Sequence, residues 1–215
     1  MQQAHTLHTP SWGQELRATL GLAGPLAAAN LLQMLTYAVD VIFIARLGEQ
    51  QLAGSALAVS LFGLVLWALT GLTGAVAPLI AEAIGARGPA LRPVRRSVRM
   101  ALWLAVIAGI GGMGLCLMLD PIMAVSGQQP GIRTLANEYN NVIVFSMVPM
   151  LLAWVLRNFV SALGRPIFAT AITGLGIFVN AGANYVFIFG KFGAPEMGLA
   201  GAAVATILTA FFTLG

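Results

Sequence analysis

The sequence predicts an all-α membrane protein, a bundle of about six transmembrane helices, and three observations carry that reading. Hydrophobic residues make up 59% of the 215 residues and charged residues only 8%, against about 25% charged in an ordinary soluble domain. So few charges cannot cover a water-facing surface, and the apolar side chains must face lipid. The charges that do occur sit in short gaps between long apolar runs, as orientation signals do. Glycines gather inside one run, at Gly109, Gly111, Gly112 and Gly114. In water they would weaken a helix, whereas in a bilayer small residues let helices approach closely.

The elements follow in order. Residues 1–17 are a polar tail that reads as cytoplasmic, and the apolar run after it is too long for a cleavable signal. The first span covers about 18–45, whose 28 residues would reach about 42 Å as a straight helix against a hydrocarbon core of about 30 Å. Tilt, or a kink at Pro25, is expected. The second span covers about 55–84 and the third about 98–119, with an arginine-rich loop from Gly85 between them. Asp120-Pro121 closes the third span and Ser126 to Pro130 forms a polar turn. The fourth, fifth and sixth spans cover about 136–163, 167–189 and 197–215. The last is still apolar from Leu208 to Leu214, so more chain is expected beyond it.

With the N-terminus inside, the inner side holds Arg17, Arg87, Arg92, Arg95, Arg96, Arg99, Arg157 and Arg165, and the outer side only Arg46, Arg133 and Lys191. That bias predicts a cytoplasmic N-terminus. Arg157 reads as a headgroup anchor and Glu82 as interfacial. Net basicity spread over loops, with no basic face or aromatic platform, argues against nucleic acid. The single cysteine, Cys116, cannot build a disulfide framework or metal cluster and reads as helix packing. Both histidines, His5 and His8, lie in the polar tail, and the sequence carries no nucleophile elbow, zinc-protease or phosphate-loop motif. An enzyme or an ATP-driven pump lacks its tools here, and no cofactor is expected.

The candidate functional residues are polar ones placed where lipid would reject them. Asp40 lies five residues inside the first span, where a lipid-exposed carboxylate costs about 2.5–3.5 kcal/mol at the bilayer centre. Asn30, Gln33, Tyr37 and Asp40 are spaced three, four and three apart and share an arc of about 80° at 100° per residue. A bundle interior or aqueous cavity explains such a stripe. Thr173, Gly176, Asn180 and Asn184 repeat the device on the fifth span. Asn carboxamides supply oxygen ligands to a hard cation or donors to a carboxylate, and they also serve as plain interhelical glue.

These residues resemble a known family. Pro25 followed by Asp40 in Ala38-Val-Asp-Val-Ile-Phe-Ile-Ala-Arg-Leu-Gly48 is similar to the first helix of multidrug and toxic compound extrusion (MATE) transporters. Leu156-Arg-Asn-Phe-Val-Ser-Ala-Leu-Gly-Arg-Pro166 resembles the end of their fourth helix, and the stretch from Val179 to Thr206 resembles helices five and six of the NorM-like branch. The resemblance implies one six-helix lobe of a twelve-helix, two-lobe transporter, with the C-terminal lobe absent. It implies a cation site at Asp40, Asn180 and Asn184, a cavity lined by Asn30, Gln33, Tyr37 and Thr173, and a bend at Pro25. The implied function is antiport in a bacterial inner membrane: drugs and other organic, often cationic compounds leave as H⁺ or Na⁺ enters. Some members carry a second acidic residue where this chain has Asn184, which leaves the coupling ion open between the two. A related flippase for lipid-linked substrates would need an arginine-rich cavity that these spans lack, and a non-transport scaffold would not need the Asp40 stripe.

Overall fold

Inside a bilayer no water bonds the backbone, so each crossing segment must satisfy its own N–H and C=O groups. The computed structural model describes residues 11–75, 78–79, 82 and 91–214, and among these every regular element is helical. The loop around Arg87 and Pro89 and most of the N-terminal tail lie outside the described residues. We number the helices α1 (Trp12–Ala45), α2 (Glu49–Gly74), α3 (Leu91–Leu117), α4 (Leu119–Val125), α5 (Pro130–Ile143), α6 (Met147–Ala162), α7 (Pro166–Phe189) and α8 (Gly198–Leu214). A break at Met118 separates α3 from α4, and a short 3₁₀ turn over Val144–Ser146 joins α5 to α6. Taken as pairs, α3–α4 and α5–α6 each make one long apolar segment. With α1, α2 and α7 these give five segments long and apolar enough to cross a membrane, and α8 is a shorter apolar helix of 17 residues. The chain is a multipass membrane protein.

Local chemistry sets several helix ends. Pro130 and Pro166 open α5 and α7 at the one turn where a missing N–H is harmless. Gly190 ends α7 in the left-handed conformation, φ 62°, and a Cβ there would press on the Glu196 backbone. At the end of α3 the Cys116 carbonyl has run out of helical partners, and the Asn140 side chain on α5 donates to it at 2.8 Å. Asp120 on α4 meets Arg133 Nε at 3.1 Å and accepts from Asn137, which ties α4 to α5.

The helices pack in a closed order. α1 lies along α7, α7 along α8, α2 along α5, and α3 along α6, while α5 and α6 both reach α8. Met147, Leu151 and Val155 of α6 and Ala202 and Ala203 of α8 form the centre of the core. Close approach uses small residues, but not all those expected. Gly109 faces Val148 and Gly112 faces Leu69, each too close for a Cβ, whereas Gly111 and Gly114 look into open space. A helix has one packed face, so a run of glycines cannot all serve it. At Gly201 a Cβ would collide with the Phe187 carbonyl, so α7 and α8 touch backbone to backbone there. Outside this core, Leu64, Trp67, Trp103, Ile107 and Phe178 are well exposed, as lipid-facing side chains are.

Candidate functional site

α7 is polar inside and apolar outside. Thr173, Gly176, Asn180 and Asn184 all fall on its buried side, with Asn180 1% and Asn184 0% exposed. Leu175 and Phe178, rotated to the other side, are 57% and 77% exposed. The inversion follows from the solvent: lipid takes the apolar face, and the carboxamides must find partners within the bundle.

Their partner is Asp40. Asp40 Oδ1 accepts from Asn180 Nδ2 at 2.9 Å and from Asn184 Nδ2 at 2.6 Å. Asn184 Nδ2 also donates to Asn180 Oδ1 at 3.1 Å, which closes a triangle between α1 and α7. Hydrogen bonds to an ionised carboxylate are shorter and roughly twice as strong as neutral ones. One acceptor in this cluster is left over: Asn184 Oδ1 is buried and has no donor among the described residues. A buried carbonyl oxygen without a partner is uncommon, and this one has acceptor capacity to spare beside the carboxylate.

The other sequence candidates divide. Asn30, Gln33 and Tyr37 lie on the exposed side of α1 and enter no hydrogen bond with Asp40. Their stripe therefore leads from the lobe surface toward the triangle and takes no direct part in it. Thr173 sits about two turns before Asn180 on the buried stripe, donates to the Ala169 carbonyl at 2.8 Å and accepts from Arg157 at 2.8 Å. Arg157, read from the sequence as a headgroup anchor, turns its guanidinium to the Thr173 hydroxyl on α7. Pro25 lies within α1, and the Thr170 hydroxyl on α7 donates to its carbonyl at 2.7 Å. Sequence reasoning missed Tyr139 on α5 and Thr206 on α8. The buried Tyr139 phenol sits beside Thr206 and within the field of the Asp40 carboxylate. A signal for it existed, because Ala136, Tyr139, Asn140 and Ile143 share one face of α5 and all are buried. No cluster of three or more His, Cys, Asp or Glu side chains occurs among the described residues.

The MatE family model matches residues 25–186, from Pro25 to just past the second asparagine of the triangle. The chain belongs to the MatE family. A probable multidrug resistance protein NorM from Rhizobium meliloti (strain 1021) is 38% identical over 209 residues, covering 95% of this chain and 44% of the relative. Its counterpart in Mesorhizobium japonicum is 39% identical over 198 residues, covering 92% of this chain and 42% of the relative. A MATE crystal structure in the bent conformation superposes with a TM-score of 0.78 at 26% identity, over 91% of this chain and 43% of that one. A transporter of the MOP superfamily from Pyrococcus furiosus, described as having a binding pocket of reverse polarity, also gives 0.78 at 26% identity, over 91% of this chain and 42% of that one. This MatE chain spans less than half the length of the curated relatives it matches.

Proposed function

We propose that this chain is the N-terminal, ion-handling lobe of a secondary active antiporter, and that the whole protein exports organic, often cationic compounds in exchange for H⁺ or Na⁺. The observation that carries the reading is the Asp40–Asn180–Asn184 triangle with its unpartnered Asn184 oxygen. A proton on the second carboxylate oxygen of Asp40 would give that side chain a donor, and a small hard cation would find carboxylate and carboxamide oxygens together. Either event removes the net charge from a carboxylate that links α1 to α7. Binding an ion in one arrangement of the two helices better than in another is what couples a gradient to movement.

The remaining residues have places in this scheme. Asn30, Gln33 and Tyr37 line the route to the triangle from the cavity side, and Thr173, on the same buried stripe of α7 as the two asparagines, holds the Arg157 guanidinium. Pro25 is the bend in α1, since proline removes the bond to the Gly21 carbonyl and lets the segments on either side move. The partner required is a second lobe that faces this one across the cavity, which fits relatives more than twice as long. The multidrug-resistance names of those bacterial relatives support drug-like substrates, and the arginine bias supports a cytoplasmic N-terminus. The flippase alternative is weakened because the four clustered arginines sit at one end of α3, away from the triangle.

The test is transport by the protein expressed from its full reading frame. Membrane vesicles loaded with a fluorescent organic cation are given an inward H⁺ or Na⁺ gradient in turn. One gradient is expected to accelerate dye movement in the opposite direction. Dye movement that ignores both gradients refutes ion antiport.

A further inference from the structure

A second built surface lies far from the triangle, at the start of α3. Arg92, Arg95, Arg96 and Arg99 are spaced three, one and three apart, which places them within an arc of about 100° on one face of the helix. All four are exposed and line one shallow groove of about 350 Å³. Val94 and Ala101 point the other way, into the core, so packing fixes the rotation of the helix and the arginines cannot turn inward. The ion pair described above joins Arg133 to Asp120, and no acidic side chain is paired with any of the four among the described residues.

The same face then changes character along the helix. One turn beyond Arg99 it carries Trp103, 64% exposed, and beyond that Ile107 and Ile110, 66% and 60% exposed. Cation, interfacial aromatic and aliphatic surface follow one another in the order of a phospholipid's headgroup, glycerol region and acyl chain. The lengths agree. α3 has 27 residues and reaches about 40 Å, which exceeds a hydrocarbon core of about 30 Å by about 10 Å. The rise from Arg92 to Arg99 is also about 10 Å, so the arginine stripe occupies headgroup depth when the rest of α3 fills the core.

We propose that this face of α3 is a docking site for anionic phospholipid, with Arg92, Arg95, Arg96 and Arg99 holding the headgroup phosphates and Trp103, Ile107 and Ile110 lying along the chains. Guanidinium groups suit phosphate because they donate in a fork that matches two of its oxygens. α3 packs on α6 and α2, so a lipid held there would set the depth and tilt of the helices behind it.

The experiment is native mass spectrometry of the detergent-purified full-length protein titrated with cardiolipin, phosphatidylglycerol or phosphatidylcholine. The wild type is expected to retain both anionic lipids and to hold phosphatidylcholine at least a hundredfold more weakly. Each arginine near an anionic surface contributes about fivefold to affinity, so R92Q/R95Q/R96Q/R99Q is expected to lose that preference by about a hundredfold or more. The all-lysine variant R92K/R95K/R96K/R99K keeps the charge and is expected to retain most of the preference. The double variants R92Q/R96Q and R95Q/R99Q give intermediate losses and replace the quadruple variant if it does not fold. Inorganic phosphate at millimolar concentration is expected to leave the bound lipid in place, because it lacks the chains. Unchanged lipid preference in the glutamine variants overturns the proposal, and so does displacement by inorganic phosphate, which would make the groove a soluble-anion site.

Discussion

Replacing Asp40 by Asn separates the charge of the triangle from its shape. Asp40 accepts two hydrogen bonds, from Asn180 at 2.9 Å and Asn184 at 2.6 Å. A bond to a charged group is worth about 1.5–3 kcal/mol and a neutral one about 0.5–1.5 kcal/mol, so neutralising the acceptor forfeits about 1–1.5 kcal/mol per bond. Against that combined loss of about 2–3 kcal/mol stands the relief of removing a carboxylate from the membrane interior, about 2.5–3.5 kcal/mol at the bilayer centre. The new amide can also donate to the orphaned Asn184 oxygen. The terms nearly cancel, and Asp40→Asn is expected to fold and melt within a few degrees of wild type. Asp40→Ala deletes the acceptor as well and strands the Asn180 donor, at a cost of about 1–3 kcal/mol, so it melts clearly lower. Transport is expected to behave differently, because both variants lose the group proposed to carry the ion. Gradient-driven efflux from vesicles, normalised to protein level, is expected to collapse in both, while drug binding at equilibrium persists in Asp40→Asn. Asn180→Ala and Asn184→Ala weaken coupling less, since each removes a ligand and leaves the charge. Wild-type efflux by Asp40→Asn under both H⁺ and Na⁺ gradients refutes the assignment of the ion to Asp40.

Further predictions concern orientation, packing and completeness. In a Cys116→Ala background, Pro89→Cys and Gln128→Cys should react with an impermeant thiol reagent from opposite sides, position 128 from outside intact cells; the reverse pattern inverts the orientation. Thr170→Val removes the hydroxyl that donates to the Pro25 carbonyl, and spin labels at Leu16 and Ile167 should report a broader distance distribution than in wild type or Thr170→Ser; identical distributions would show that the bond does not restrain the bend. Gly201→Ala drives a methyl into the Phe187 carbonyl and should destabilise the fold by about 1–3 kcal/mol. Gly111→Ala, which meets open space, should leave the melting temperature unchanged and serves as its control. Expressed alone, these 215 residues should confer no drug resistance, because the polar α1 stripe lacks a facing lobe; robust resistance would point to a six-helix protein working as a homodimer.

Each helix's own contribution to the site was legible because polar residues in an apolar background stand out at helical spacing. The Asn30–Asp40 and Thr173–Asn184 stripes needed only a period of 3.6 to be seen. That the two stripes meet at Asp40 was not in the spacing, since they lie about 140 residues apart; the family resemblance supplied that pairing. The bond from Arg157 to Thr173 was not legible, because distance from a span's end gives depth in the membrane but not rotation about the helix axis. Rotation is set by packing against α7 and α8, which local sequence does not encode. Tyr139 and Thr206 escaped for a related reason. Tyr139 shares a face with Ala136, Asn140 and Ile143, but neither it nor Thr206, a threonine among alanines, could be tied to Asp40 until the helices were placed side by side. Close packing at Gly109 and Gly112, with Gly111 and Gly114 left toward lipid, repeats the point: the cluster announced small-residue packing, and only the bundle chose which members would serve it.

The Asp40–Asn180 bond joins residues separated by 140 positions, and that separation governs how the chain can be made. A ribosome adding about 5–20 residues per second needs about 7–28 s to pass from one partner to the other. Throughout that interval α1 has left the ribosome while its carboxylate has no carboxamide to meet, and an unpaired acid in lipid carries a penalty of about 2.5–3.5 kcal/mol. The contact between α1 and α7 at Asp40 can therefore form only after α7 emerges, and until then the acid keeps its charge without a carboxamide partner from that helix. The Asp40–Asn180 pairing cannot precede the synthesis of α7, so the bond that closes the triangle follows the formation of α1 itself.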